Sequence, residues 1–337
     1  MYTAMDERFI RQTILPQLGP QGQRRLREAR ALVAGCGALG THTAEALLRA
    51  GVRRLLLVDR DVVEVHNLHR VALLTPADLG RPKAEATAEA LLRIDPEAEL
   101  IPYTAHLGPT LAEELVPKVD LVVDGLDNLE TRYLVNDACV KHRLPWIYTA
   151  VLATYGMTMA IVPGQGPCLR CLFPTPPAPG ALPTCAESGI LGPVPQALAA
   201  IQAATAIQVL TRSPDLRPGE LLHLDLWTHR AERVTVARAA GCPTCGERRF
   251  EFLAQGSETS VLCGDAIQVL PRHRGPSDLA HLAARLAPLG EVRLEKGLLV
   301  AQIGEVALTV FPDGRALVKG VRDPKRAQAL YDQYLSR

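Results

Sequence analysis

Gly35-Cys36-Gly37-Ala38-Leu39-Gly40 is a complete G-x-G-x-x-G run. Glycines at that spacing permit a tight turn and let the backbone approach a phosphate, and a helix N-terminus behind them favours negative charge. Asp59 follows nineteen residues after Gly40, where a carboxylate suits a ribose hydroxyl. These residues predict a nucleotide site and leave a dinucleotide and ATP both open.

The next residues add charge. Asn67-Leu68-His69-Arg70 comes shortly after Asp59 and Asp61, and Gly80-Arg81-Pro82-Lys83 precedes a helical stretch. Arg70 and Lys83 are two cations able to converge on a triphosphate, whose departing pyrophosphate needs its growing charge neutralised. Asp127-Asn128 follows the apolar run of Asp120–Asp124, at an edge where a carboxylate can hold the Mg²⁺ that bridges phosphates. Arg132, four residues beyond Asn128, is placed to orient Asp127. Singly, Arg70 and Lys83 read equally well as solvated cations and Asp127 as a helix cap.

Cys168-Leu169-Arg170-Cys171 and Cys242-Pro243-Thr244-Cys245 are two C-x-x-C knuckles. Four thiolates so paired suit a closed, tetrahedral structural Zn²⁺ that staples a crossover loop to the end of a sheet. A redox pair would need one knuckle, and a cytosolic setting disfavours two disulfides. Cys185 stands apart in a loop rich in proline and glycine, where its thiol can be exposed. Cys36, Cys139 and Cys263 lack partner spacing and read as structural thiols.

The elements that must position these groups follow from apolar patterning. Ala31–Gly35, Arg54–Asp59 and Asp120–Asp124 read as buried parallel strands, with helices over Thr41–Ala50, Lys83–Ile94 and Glu130–His142. The fold class predicted is α/β: a Rossmann-like, doubly wound, mostly parallel sheet with an antiparallel extension and a zinc site. The extension consists of two strands in Trp146–Val162 broken near Gly156, a helix over Val194–Leu210, and strands Leu221–Leu226 and Arg233–Val236. Residues 1–253 form the nucleotide domain, 254–260 a linker, and 261–337 a small C-terminal α+β domain. That last part shows a strand over Val261–Leu270, a helix over Ser277–Leu286, several short strands, and a helix from about Pro324.

Composition narrows the class. Lysine plus arginine number 37 against 36 aspartate plus glutamate, so no basic excess points to nucleic acid or an anionic membrane. The first residues lack the apolar core of a signal peptide, and no segment approaches the ~20 continuous apolar residues of a membrane span. The protein is expected in the cytoplasm.

In succession, the glycine loop, Asp59, N-L-x-R, G-x-P-K and D-N-x-x-x-R resemble the MoeB/ThiF family, and the resemblance covers roughly Arg8 to Cys245. It implies an adenylyltransferase that uses ATP to activate the C-terminal glycine of a ubiquitin-like sulfur-carrier protein ending in Gly-Gly. It also implies Mg²⁺, a homodimer, and a persulfide donor serving thiamin, molybdopterin or tRNA thiolation pathways. By position, Ala38 stands at a usual glycine and faces the nucleotide, Asp59 binds ribose, and His66, Asn67 and Arg70 line the phosphates. Lys83 contacts the triphosphate, Asp127 positions Mg²⁺, and Arg11 of Arg11-Gln12 reaches the nucleotide of the other subunit. Cys185 matches a cysteine used in acyl-persulfide or thioester chemistry in the ThiF-like branch and dispensable in MoeB-like relatives; both readings stay open. His69 and Val71 replace the two glutamines of the family's N-L-Q-R-Q, which predicts altered packing around that loop. A nicotinamide or flavin oxidoreductase would share only the glycine loop, and a tRNA-modifying dehydratase of the same superfamily only the nucleotide site.

Overall fold

The computed structural model describes residues 7–177, 185–254, 259–261, 266–271, 277–295, 297–321 and 323–335. The chain divides into two compact units, residues 1–255 and 256–337.

In the first unit the elements alternate as α1 (Gly19–Glu28), β1 (Arg30–Ala34), α2 (Ala38–Ala50), β2 (Arg54–Asp59), α3 (Lys83–Leu92), β3 (Glu99–Thr104), α4 (Pro109–Leu115), β4 (Leu121–Asp124), α5 (Leu129–His142) and β5 (Trp146–Leu152). Then come β6 (Tyr155–Ile161), α6 (Pro193–Thr211), β7 (Glu220–Asp225) and β8 (Arg230–Thr235). Among the described residues the sheet runs β3-β2-β1-β4-β5-β6-β7-β8, parallel through β5 and antiparallel beyond it. Strand order reverses between β1 and β4, and open α/β sheets bind ligands in the crevice at such a switch point.

Both sheet faces are covered, which is why the central strands are apolar on every side. Leu26, Leu47, Leu48, Leu91 and Ala206 pack over Val33, Leu55, Leu57 and Val123 on one face. Leu115, Tyr133, Val135 and Cys139 pack over Leu32, Leu56, Val58 and Val122 on the other.

The glycine loop is set by close approach. Gly35 has φ +97°, and a Cβ there would lie 2.4 Å from Gly125 O. At Gly40 a Cβ would fall 1.8 Å from Gly35 O, so only glycine lets α2 start this close to β1.

Several expectations are corrected. The β5–β6 hairpin turns at Ala153-Thr154, where Ala153 takes φ +50°, and Gly156 lies inside β6 opposite Val151. Strand β3 went unread because it is a half-exposed edge strand, polar at its ends and carrying Pro102. Asp120 precedes β4, its Oδ2 accepting Arg30 N–H at 2.8 Å. Helix α6 is long and apolar enough by length and composition to cross a membrane, but Gln196, Gln202 and Gln208 interrupt it, so it is no continuous apolar run. Its apolar residues serve the core: Val194, Leu198, Ala203 and Ala206 are buried, and Gln202 Nε2 donates to Thr43 Oγ1 at 2.9 Å and Asp124 O at 3.0 Å.

The second unit contains β9 (Thr259–Val261), β10 (Ala266–Val269), α7 (Leu279–Leu286), β11 (Glu291–Glu295), β12 (Leu298–Ile303), β13 (Val306–Val310), β14 (Ala316–Lys319) and α8 (Pro324–Tyr334). Its described strands form an antiparallel sheet, β11-β12-β13-β14-β10-β9. Leu282, Leu286 and Tyr331 from the helices pack on Ile267, Leu299, Leu308 and Val318. Asp278 and Asp323 cap the helices by accepting His281 N–H and Lys325 N–H. In place of one strand over Val261–Leu270 there are two, β9 and β10.

Candidate nucleotide site and cysteine cluster

The glycine loop meets β2 through Asp59. Its Oδ2 accepts Cys36 N–H and its Oδ1 accepts Asp61 N–H, each at 2.7 Å. Burial raises the Asp59 carboxyl, partly opposed by the charge of Lys83. Gly37 differs from Gly35 and Gly40: a Cβ there would meet only Gly125 O, at 3.9 Å. That space lies beside the first turn of α2, whose N-cap Gly37 makes no side-chain cap, so the early N–H groups stay open to an anion.

The two charged motifs are stitched into one structure. Val63 N–H donates to Arg81 O and Gly80 N–H to Val63 O, both at 2.9 Å, laying G-R-P-K against Asp61–Val63. Lys83 therefore points back at Asp61: Nζ to Oδ2 is 3.2 Å, and Lys83 is 8% exposed. Burial works against its charge, but Asp61, Asp59 and Asp127 outweigh it and hold the ammonium above its ordinary value. The second oxygen of Asp61, Oδ1, is buried without a protein partner.

The N-L-x-R segment divides its labour. Asn67 is buried and its Oδ1 accepts Glu64 N–H at 3.1 Å, closing a one-turn helix, while Leu68 packs with Val63, Val71 and Leu74. His66 and His69 are exposed. Arg70 Nη1 donates to His66 O at 2.6 Å, and His42 Nε2 lies 3.3 Å from Arg70 O. Ala38 packs against the same cluster as Leu68.

Asp127 is open to the crevice, with Asn128 Nδ2 donating to its Oδ1 at 3.1 Å. Its surroundings withdraw solvent and pull the carboxyl upward, yet the charge of Arg60, the Asn128 hydrogen bond and the charge of Lys83 hold it below the ordinary value. Asn128 also caps α5, its Oδ1 accepting Thr131 N–H at 2.9 Å. Arg132 does not orient Asp127 directly. Its Nε donates to Asp124 Oδ2 at 3.0 Å and its Nη2 to Thr149 O at 3.0 Å, because its place one turn into α5 aims it at the buried ends of β4 and β5.

At the other end of the sheet the four knuckle sulfurs gather. Cys168, Cys171, Cys242 and Cys245 have Sγ atoms all within 4.8 Å of one another, with Cys168–Cys242 and Cys171–Cys245 at 3.5 Å. A tetrahedral Zn–S bond of about 2.3 Å puts sulfurs roughly 3.8 Å apart, so the donor set fits Zn²⁺.

The profile of the ThiF family matches residues 9–244. The chain belongs to the ThiF family. It is 37% identical to the Bacillus subtilis protein named sulfur carrier protein ThiS adenylyltransferase, over 98% of this chain and 100% of that one. It is 42% identical to the Thermus thermophilus sulfur carrier protein adenylyltransferase, over 72% of this chain and 91% of that one. Among solved structures, E. coli MccB with ATP superposes with a TM-score of 0.60 at 23% identity, covering 67% of this chain and 68% of that one, which shows a shared fold.

Within this ThiF-family chain, Arg11 sits exposed on the turn Ile10–Thr13. Neighbouring Gln12 donates to Ala50 O at 2.8 Å, at the end of α2 remote from Gly37, so a single chain does not bring Arg11 to Lys83 and Asp127. Cys185 begins a one-turn helix, Cys185–Ser188, and its side chain lies outside the described residues, as does all of Cys263. Cys36 and Cys139 are buried, and burial pushes both thiols up.

Arg60 went unread in the sequence. It is 8% exposed, its Nη1 is 3.3 Å from His106 Nδ1, and its charge is the leading influence that keeps Asp127 ionised. Its only mark in the sequence is its place directly after the end of β2 at Asp59.

Proposed function

We propose that this chain is an ATP-dependent adenylyltransferase that activates the C-terminal glycine carboxylate of a ubiquitin-like sulfur-carrier protein ending in Gly-Gly. One observation carries the reading: buried Lys83, ringed by Asp61, Asp59 and Asp127, stands at the switch point beside the glycine loop. The nearby relatives named for sulfur-carrier activation support it.

The carrier carboxylate attacks the α-phosphorus of ATP, a new P–O bond forms, and the bond to pyrophosphate breaks with its electron pair leaving on pyrophosphate. The nucleophile is already an anion, so no general base is needed. The open N–H groups of α2 and the cations Arg70 and Lys83 take up the phosphate charge, and Asp59 holds the ribose. Asp127, with Asn128 beside it, would hold Mg²⁺, which would supply charge neutralisation on the phosphates. Arg11 would act in a homodimer, on the partner's nucleotide.

Cys168, Cys171, Cys242 and Cys245 would hold a structural Zn²⁺. Residues 1–253 form the adenylyltransferase domain, 254–260 the linker and 261–337 a separate small domain, in a cytoplasmic enzyme. Sulfur from a persulfide then displaces AMP from the acyl-adenylate, with Cys185 as the candidate relay, serving thiamin, molybdopterin or tRNA thiolation.

The test is ATP–pyrophosphate exchange with purified carriers ending in Gly-Gly. Exchange that needs the carrier and disappears when its last glycine is deleted supports the reading; carrier-independent exchange, or none with any such carrier, overturns it.

A further inference from the structure

Every residue from Thr131 to Val140 of α5 is buried, so the helix is covered on all sides. Two of those residues are polar neighbours, Asn136 and Asp137, both fully buried. Polar groups placed there cost free energy unless they are paired. Among the described residues, two of their three side-chain partners come from inside the two knuckles. Asn136 Oδ1 accepts Leu169 N–H at 2.8 Å, from inside Cys168–Cys171. Asp137 Oδ1 accepts the hydroxyl of fully buried Thr244 at 2.9 Å, from inside Cys242–Cys245. Its Oδ2 accepts Phe252 N–H at 2.9 Å, just beyond the second knuckle. Asn136 Nδ2 is buried with no partner, a cost set against the bond its oxygen accepts from Leu169.

The other end of the same helix is the nucleotide edge. Asn128 caps it beside Asp127, and Arg132 in its first turns ties it to Asp124 and Thr149. One rigid helix thus carries the nucleotide carboxylate at its start and grips both knuckles at its centre. Its residues Leu129 to Asp137 span roughly 12 Å at 1.5 Å each.

We propose that Asn136 and Asp137 are positioning residues that hold both C-x-x-C knuckles in ligating geometry, and that metal occupancy is thereby coupled to the order of α5 up to the Asp127–Asn128 edge. The inference rests on the zinc reading of the cysteine cluster. Outer groups that orient ligands typically change metal retention by about 10–100-fold when removed.

Zinc per chain in the purified protein tests the underlying reading first: about one supports it, and none removes the premise. Zinc release into a chromogenic chelator then tests the latch in Thr244→Val and Asn136→Ala, with Thr244→Ser as the variant that keeps the hydroxyl. Release on the order of tenfold faster in Thr244→Val, and near wild type in Thr244→Ser, supports the latch. If Asn136→Ala does not fold, Thr244→Val carries the comparison, because Asp137 keeps its bond to Phe252. Equal release from folded Thr244→Val and wild type overturns the latch. Hydrogen exchange of the wild-type chain, with and without chelated zinc, tests the coupling. Loss of protection reaching Leu129–Arg132 supports it, and protection lost only around the knuckles overturns it.

Discussion

Lys83 and Asp61 form a 3.2 Å ion pair in which the lysine is almost wholly withdrawn from solvent while one carboxylate oxygen, Asp61 Oδ1, stays unpaired. A cation so placed is already desolvated and fixed before a nucleotide arrives, which spares reorganisation when charge develops on the leaving group.

Lys83→Ala should therefore lower kcat/KM for carrier-dependent pyrophosphate exchange by about a hundredfold, or on the order of 3 kcal/mol. Lys83→Arg should recover only part of this, because a planar fork does not replace a point charge in a closed site. Exchange kinetics at saturating carrier measure both; an unimpaired alanine variant would exclude Lys83 from the reaction.

Arg60 predicts a pH effect. Asp127 lies below its ordinary value, with Arg60 the foremost lowering influence, so Asp127 stays ionised as pH falls. In Arg60→Ala the carboxyl titrates at higher pH, and the acid limb of the pH–rate profile should move up. Superimposable profiles for the two proteins would remove Arg60 from this role.

The glycines of the loop should separate by function. Gly40→Ala drives a Cβ into Gly35 O and should destabilise the fold by several kcal/mol, read as a lower Tm. Gly37→Ala has room in the protein, so its Tm should change little while KM for ATP rises. Similar losses of Tm in both would mean that Gly37 serves packing after all.

Asp95 supplies an acid-sensitive element of stability. Burial pulls its carboxyl up, but the hydrogen bonds and charge of Arg53, at 2.7 and 2.6 Å, and Arg8 at 3.4 Å, bring the net value below the ordinary one. The folded form thus binds its proton less readily than the unfolded chain. Its stabilisation is fully present above about pH 4 and is lost as pH falls through the depressed folded value. Asp95→Asn should cost about 1–3 kcal/mol at neutral pH, since Arg53 keeps its 2.9 Å pair with Glu97, and progressively less in acid. Denaturant titrations at pH 7 and below 3 measure this; an equal cost at both would contradict it.

How much of the site was legible depends on how local its cause is. The glycine loop, Asp59, Lys83 and the knuckles could be read because each performs its work through neighbours in sequence: a turn, a strand end, a helix start, a pair of thiols. Arg132 was legible as a cation that orients a carboxylate but was given the wrong one. Asp124 and Asp127 are three residues apart, and only the path of α5 decides which of them it meets. The second unit was readable as short strands and two helices, since hydrophobic patterning is local, whereas its strand order was not.

The sequence by itself determined the alternating βα framework, the glycine turn and the two paired cysteine knuckles, because hydrophobic period and backbone permissiveness act over a few residues. Only tertiary structure decided that Lys83 turns back onto Asp61, that Arg60 keeps Asp127 charged, and that Asn136 and Asp137 bind both knuckles to one helix. Those relations join residues brought together by sheet order and helix packing, and none of the three is encoded in the spacing of any single segment.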